Sequence, residues 1–395
     1  MLFQALDDKK ECIGVYAQGE LHFEKIPTTL THTWDYSSSV ELPGLQFAKF
    51  YAEGKTLSEV CPEHLRDEFK RCSKRMKSFY KSFLLSKVSL DEHCFFDLVP
   101  SRHLLEYFSI KNEICAWVFE NYQKPDNHDF LAKVSEMTTA IATQTFSVDK
   151  SELNRYMAED RVKTLRNKLV GDSHRVHYNP FGTVTGRLTV SRNSFPILTL
   201  DKKFRKIVKP KNDWLVELDF NAAELRTLLG LSGSKQPEED LHQWNVENLY
   251  KDLDLDREQA KEKIFSWLYN PNSLDKEAEK YYCRDKLIEK YFSEGKLKTP
   301  MGRVIESQER TALNYLIQST SSDIFLNSAY DIWRSLDDTS SEVRFLVHDS
   351  VLIDLSEEDK HMLPELIEKF SKTPLGKYKV GVSIGRSYGE MRKMK

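Results

Sequence analysis

The chain contains no uninterrupted apolar run long enough to span a bilayer. Its first residues, Met1-Leu2-Phe3-Gln4-Ala5-Leu6-Asp7-Asp8, lack the basic-then-apolar pattern of a secretory leader. Together these absences predict a cytoplasmic protein with no membrane partner. Six cysteines (Cys12, Cys61, Cys72, Cys94, Cys115 and Cys283) are scattered without a Cys-x-x-Cys pair, which argues against a zinc pattern or a disulfide framework and leaves reduced, packed thiols. There is no internal repeat and no low-complexity tract. Net charge is only −3, which speaks against a general nucleic-acid coat protein but leaves room for local basic patches around an acidic centre. What remains is a chain of 395 residues, 40% hydrophobic and 30% charged, enough for two or three globular domains with a sizeable core.

The first residues read as short strands: Leu2 to Leu6, a polar turn at Asp7-Asp8-Lys9-Lys10, then Cys12 to Ala17 and Glu20 to Phe23 flanking Gln18-Gly19 as a hairpin. Residues 44–120 read as mostly helical, with Gly44 to Ala52 and Thr56 to Val60 near helix period. His64 to Lys87 is a strongly basic amphipathic stretch in which Arg66, Lys70, Arg71, Lys74, Arg75, Lys77 and Lys81 alternate with Phe69, Phe79, Tyr80 and Phe83. Lys124-Pro125-Asp126-Asn127-His128 is a candidate boundary loop. Residues 129–170 return to helix, with a break at Ser147 and a new helix from Val148-Asp149 through Leu169. From Asn179-Pro180-Phe181-Gly182 onward strands alternate with helices, predicting an α/β or α+β domain.

Two aspartates stand out. Asp219 ends the apolar run Leu215-Val216-Glu217-Leu218, and Asp349 interrupts Phe345-Leu346-Val347-His348-Asp349-Ser350-Val351-Leu352-Ile353, so each is expected at a strand end or turn. Between them Arg257, Lys261, Phe265 and Tyr269 recur every fourth residue on one helical stripe. Cations at one end suit a triphosphate, and aromatic rings further along suit a sugar and base. If the two aspartates meet in space, two divalent ions about 4 Å apart bridge them to phosphate, and Mg²⁺ fits because it binds through one or two carboxylates plus phosphates. Thr185-Gly186-Arg187-Leu188, followed by Arg205, offers a close backbone approach and a cation for nucleic acid. Arg310, Asn314 and Gln318 step by four along another helix, as suits minor-groove acceptors. Taken singly, each motif also reads as ordinary structure: an acidic helix start, an amphipathic helix, a hairpin tip, a turn and a polar face.

In this order, the motifs resemble family A DNA polymerases, the DNA polymerase I family, over about residues 130–395. Asp219-Phe220-Asn221-Ala222-Ala223-Glu224-Leu225-Arg226 resembles motif A, the Arg257–Tyr269 stripe resembles motif B, and His348-Asp349 resembles motif C. Val380-Gly381-Val382-Ser383-Ile384-Gly385 resembles the closing palm segment. The resemblance implies an α+β, right-hand architecture: an antiparallel palm with helical fingers over residues 179–395 (fingers about 232–298), and a reduced thumb and palm entry over 126–178. Residues 1–125 would form an N-terminal α/β region, a candidate decayed exonuclease-like domain. It further implies that Asp219 and Asp349 hold two Mg²⁺ ions, with Mn²⁺ as substitute, and that Arg257, Lys261, Phe265, Tyr269 and Glu224 contact the incoming dNTP, Glu224 as steric gate. Arg187, Arg205, Arg226, Arg310, Asn314, Gln318 and His348 would contact primer-template DNA.

The chain departs from the family's pattern where Ala222 stands for Gln, Ser350 for Glu, and Ser319 and Asn270 for glycines. No Asp-x-Glu occurs in residues 1–150, so no proofreading is expected. The short interval before Thr185 predicts weak duplex grip, to be offset by a processivity factor or by the His64–Lys87 stretch, with a separate exonuclease or helicase as further partners. A monomer is the expected state, and the compact plan points to a phage or mobile element. The alternatives are a single-subunit RNA polymerase or primase-like enzyme, which Glu224 opposes, and an inert DNA-binding subunit, which the retained aspartate pair opposes. A nuclease would need more clustered carboxylates than these motifs supply.

Overall fold

The computed structural model describes residues 2–394 except 5, 7–13, 24–25, 35–36, 38–39, 41, 49–51, 53–54, 91, 192–193 and 271. Two compact units emerge, Met1–Thr143 and Gln144–Lys395.

In the first unit the strands are β1 (Leu2–Phe3), β2 (Val15–Ala17), β3 (Glu20–His22), β4 (His32–Thr33) and β5 (Gln46–Phe47). β2 and β3 pair antiparallel around Gln18-Gly19, where positive φ angles of 54° and 85° give the turn its hairpin twist. β1, β4 and β5 form a parallel sheet in the order β1-β4-β5. The helical reading of Gly44–Ala52 is therefore corrected at Gln46–Phe47, where a neighbouring strand supplies backbone partners that local periodicity does not reveal. The turn at Asp7–Lys10, the start of the Cys12–Ala17 run and residues 49–51 lie outside the described residues. Helices α1 (Leu57–Val60), α2 (Arg66–Leu85), α3 (Ser101–Asn121) and α4 (His128–Thr143) follow. α2 turns Phe69, Cys72 and Met76 inward; the first two join Ile110 and Ile114 of α3 in one core, and Met76 joins Leu104 and Phe108 in another. Cys61, Cys72, Cys115 and Cys283 are free thiols, but Cys94 is disulfide-bonded, a correction to an all-reduced set that spacing alone could not reveal.

In the second unit, the helix expected from Val148 through Leu169 is broken. Lys150–Tyr156 is a 3₁₀ segment capped by Asp149, and α5 covers only Asp160–Lys168. Val148 instead forms a β-bridge to Val208, which diverts the chain from helical geometry. Short strands β6 (Tyr178–Asn179) and β7 (Thr189–Val190) pair antiparallel. The central sheet has five strands: β8 (Trp214–Phe220), then, after the intervening helices, β12 (Glu342–Val347), β13 (Ser350–Leu355), β16 (Val380–Gly385) and β17 (Arg392–Lys393). Its order is β12-β13-β8-β16-β17, with every neighbouring pair antiparallel. β13 is buried along its full length, which explains its continuous apolar run.

α6 (Ala223–Leu231) leaves β8 directly. It is followed by α7 (Leu241–Trp244), α8 (Arg257–Tyr269), α9 (Lys276–Tyr282), α10 (Arg284–Tyr291) and a small sheet of β9 (Phe292–Ser293), β10 (Lys296–Lys298) and β11 (Val304–Glu306). α8 begins with a capping box in which Asp256 and Gln259 satisfy each other's backbone amides. Ala260, Ile264, Trp267 and Leu268 bury its inner face beside Tyr250 and Tyr282. α11 (Glu309–Ser335) is 27 residues long and packs on α6, on β12 and on α12 (Leu363–Ser371). The hairpin β14 (Lys372–Thr373) and β15 (Gly376–Lys377) completes the unit. No helix among the described residues is long and apolar enough to cross a membrane.

Candidate active site

Sheet register brings the two aspartates together. Ser350 lies opposite Asp219 across β13 and β8, and the Phe220 amide donates to the Asp349 carbonyl at 3.4 Å. Asp349 is thus the residue before a direct cross-strand partner of Asp219. On the other side of β8, Gly381 of β16 faces Asp219. Partial withdrawal from water beside the strands and the like charges of Asp349 and Glu217 push the Asp219 carboxyl up to about 7, and because the Asp219 side chain is exposed, solvent screens part of this effect. Asp349 is raised as well, by burial and by Glu224, against the pull of its own amide, His348 and Arg187.

The backbone is strained on both sides of this pair. His348, first residue of the two-residue turn between β12 and β13, has φ of 56°, and Ala222, at the start of α6, has φ of 53°. Neither is glycine, and such positions cost about 1 to 3 kcal/mol each and persist only where the surrounding structure imposes them. His348 itself is exposed.

α8 presents its stripe to the same region. Phe265 and Tyr269 stack with ring centroids 5.8 Å apart and planes 7° apart. The Tyr269 hydroxyl donates to Glu224, whose other carboxylate oxygen accepts from Arg187, so α8, α6 and the Gly186 turn converge on one carboxylate. Gly186 has φ of +75°, and a Cβ there would meet the Arg303 guanidinium at 2.3 Å. Arg303 is fixed in turn by a bidentate pair with the fully buried Asp323, at 2.7 and 3.2 Å. A cavity of about 150 Å³ opens between Arg187, Glu224, Phe265, Ser321, His348 and Asp349.

At the start of α8, Arg257 pairs with Asp240 at 3.1 and 3.0 Å. Burial would raise the Asp240 carboxyl, but Arg257, the Gln243 amide and Asn221 hold it well below the usual carboxylate range. The Lys261 side chain, one turn on, makes no ion pair or hydrogen bond among the described residues.

Three residues that the sequence reading passed over belong here. His242 of α7 is buried against Phe265, with centroids 5.8 Å apart, and its Nδ1 has no hydrogen-bond partner among the described residues. Burial, with Arg257 and Lys261 adding to it against the pull of Asp240, holds its imidazole down at about 4, so it is neutral near pH 7. Asp240 fixes Arg257 while capping α7 through the Gln243 amide. Asp240-Leu241-His242 at a helix start was the available signal. The third is Glu217, which accepts from the Ser350 hydroxyl at 3.2 Å and the Tyr388 hydroxyl at 3.4 Å. Its signal was its place on the same strand face as Asp219, two residues earlier.

The remaining residues lie further out. Arg205 stacks on Tyr388, 4.5 Å from the ring centroid, and so reaches the site only through that ring. Exposed Arg310 and half-buried Asn314 line a separate cavity of about 420 Å³ beside Tyr269 and Arg284. The Asn314 Oδ1 is buried without a partner among the described residues. Arg226 is a correction. It is 0% exposed, and its guanidinium donates to the carbonyls of Asn221, Pro237 and Glu239, so it ties the loop before α7 to α6 and cannot reach DNA.

Among the described residues, no three His, Cys, Asp or Glu side chains converge as a metal-ligand set. Two oxygen-donor carboxylates that oppose each other's ionisation still suit Mg²⁺, which takes its remaining ligands from water and phosphate. No protein-family model matches the chain, and no curated protein matches it. Among solved structures, the POL domain of Pol1 from M. smegmatis, in complex with DNA primer-template and dNTP, is similar at a TM-score of 0.49 and 16% identity, over 85% of this chain and 66% of that one.

Proposed function

We propose that the chain is a family A-type, template-directed DNA polymerase that extends a primer 3′ end with dNTPs and releases pyrophosphate. The observation that carries this reading is the meeting of Asp219 and Asp349 with the α8 stripe, joined through Glu224. A paired-carboxylate centre facing a row of cations and then aromatics is a layout for nucleotidyl transfer. In this reading the β12-β13-β8-β16-β17 sheet is the palm, residues 232–298 are the fingers and 126–178 a reduced thumb.

Asp219 and Asp349 would hold the divalent ions, Mg²⁺ by the chemistry of their oxygens, and ions bound there supply charge neutralisation and acidify the primer hydroxyl. The primer oxygen attacks the α-phosphorus, the bond to the bridging oxygen breaks, and pyrophosphate leaves. Lys261 meets the triphosphate as an unpaired cation, and Arg257 is held ready beside it by Asp240. His242, neutral and with a free Nδ1, offers a hydrogen bond without adding charge. Phe265 and Tyr269 form a flat wall for the base and sugar. Glu224 occupies the space a ribose 2′-hydroxyl would need, and its grip by Arg187 and Tyr269 keeps it there.

Primer extension with dNTPs or NTPs, alongside Asp349→Ala, tests the reading. Extension with dNTPs alone, lost in the variant, is expected. Extension with NTPs would move the assignment to RNA or primer synthesis. No extension by the wild-type chain with either would indicate an inert DNA-binding subunit.

A further inference from the structure

Helix α2 of the first unit carries a second feature, independent of the carboxylate centre. Residues 66–87 hold eight cationic side chains against two acidic ones, a net +6 within a chain of net −3. The acidic pair, Asp67 and Glu68, sits in the first turn. From Phe69 to Leu85 no negative charge interrupts the helix.

The structure sorts these cations by type. Arg71 and Arg75, one turn apart, both pair with Glu106 of α3, the first at 3.0 Å, and Arg75 also approaches His103 at 3.1 Å. The arginines therefore brace the helix pair. Lys70, Lys74, Lys77 and Lys81 are all exposed and make no ion pair or side-chain hydrogen bond among the described residues. Spaced four, three and four residues apart, they fall within about 60° of one another around the helix axis, on the side away from the buried Phe69, Cys72 and Met76. Exposed Tyr80, Leu84 and Leu85 continue the surface at the C-terminal end.

Such a row is unfavourable in the free protein, because like charges at these spacings repel along a helix. A face built only for solubility would mix the two signs. We propose that the Lys70–Lys74–Lys77–Lys81 row is a docking surface for the phosphate backbone of nucleic acid. The row spans about 16 Å of helix, the rise of about five phosphates along one strand of a duplex. Lysine is a flexible point charge that needs no bidentate geometry, so contact without sequence preference follows.

The test titrates the full chain, in EDTA and without nucleotides, against a fluorescein-labelled short DNA duplex over a salt series. Four charge contacts predict that combining Lys70→Gln, Lys74→Gln, Lys77→Gln and Lys81→Gln lowers the slope of log affinity against log salt by about 3 to 4 and weakens binding about tenfold or more at moderate salt. The four matching Lys→Arg substitutions should retain both. Because the side chains are exposed, unchanged circular dichroism is expected, and the arginine variant controls for folding. Asp349→Ala should leave the slope intact even if it abolishes extension, which separates this surface from the reading of the carboxylate centre. An unchanged slope and affinity in the glutamine variant would overturn the proposal. So would loss of binding to poly-glutamate with DNA binding untouched, which would assign the row to an acidic protein partner.

Discussion

Tyr269 and Glu224 lie on different helices, 45 residues apart in sequence, yet the phenol of one donates directly to the carboxylate of the other. Arg187 holds the same carboxylate from the opposite side. The glutamate is therefore held in place by two tethers, which bears on the role proposed for it as steric gate. Sugar discrimination should then depend on both holders as well as on Glu224. Glu224→Ala is expected to raise incorporation of NTPs relative to dNTPs by about 10²- to 10³-fold in kcat/KM, and Tyr269→Phe by a smaller factor, because one tether remains. Equal discrimination in all three proteins would remove Glu224 from this role.

Asp219 shows why the centre calls for cations. Its carboxyl titrates at about 7 when folded, against an ordinary value near 3.8, so the folded state binds an extra proton between those values. Stability from this group is accordingly present below about pH 4 and declines as pH rises through about 7. In EDTA at pH 8, Asp219→Asn should melt above the wild type, with the difference gone at pH 4. Added Mg²⁺ should raise the wild-type Tm at pH 8 and leave the variant's unchanged. Extension by Asp219→Asn should fall about 10³-fold or more.

Glu217 holds a hydroxyl on each side and stands two residues from Asp219. Glu217→Gln keeps both hydrogen-bonding partners and removes only the charge. The expected result is a rise of about 10- to 100-fold in the Mg²⁺ concentration for half-maximal extension, with little change in melting temperature. Ser350→Ala, which frees the glutamate to swing, should show a weaker version of the same shift. A lower rate at unchanged Mg²⁺ dependence would argue against this role.

His242 gives a pH effect of opposite sign. Its imidazole is held at about 4 when folded, against 6.5 ordinarily, so the unfolded chain binds more protons in that window. Stability should fall as pH drops from about 6.5 through 4. Urea unfolding of His242→Gln between pH 7 and 4 should show a flatter decline than the wild type.

Arg226 is a stability residue. Its charge is buried and satisfied only by backbone carbonyls and Asn221, so Arg226→Ala should cost about 3 to 5 kcal/mol in urea unfolding. DNA affinity of whatever fraction stays folded should be unaltered.

The strand end at Asp219, the hairpin turn at Asp349 and the single face of α8 were legible because each is a local pattern: an apolar run that stops, two runs around a polar pair, a fourfold spacing. The meeting of Glu217 with Ser350 was not, because it depends on the register of strands 133 residues apart, which no local period encodes. Arg226 misled for a related reason. An arginine after a catalytic-looking acid reads as a surface cation, and only the carbonyls of the loop at Pro237 and Glu239 reveal that it points inward. Residues 44–52 read as helix from local periodicity and 148–169 as a continuous helix, and pairing partners elsewhere in the chain decided otherwise at Gln46–Phe47 and Val148.

The two-residue turn at His348-Asp349 has a consequence for how such a chain can change over time. Side chains alternate across a strand, so deleting or inserting one residue in β13 would send every side chain beyond it to the opposite face of the sheet. The turn itself has no slack, since Val347 and Ser350 already close it at its minimum length, and the register shift in this strand pair lies away from it, between Val343 and Phe345. Around the turn the gene is free to drift by substitution, whereas a single-codon gain or loss would have to be absorbed as a bulge like the one between Val343 and Phe345, so length variation among descendants should collect in loops such as residues 250–256 instead.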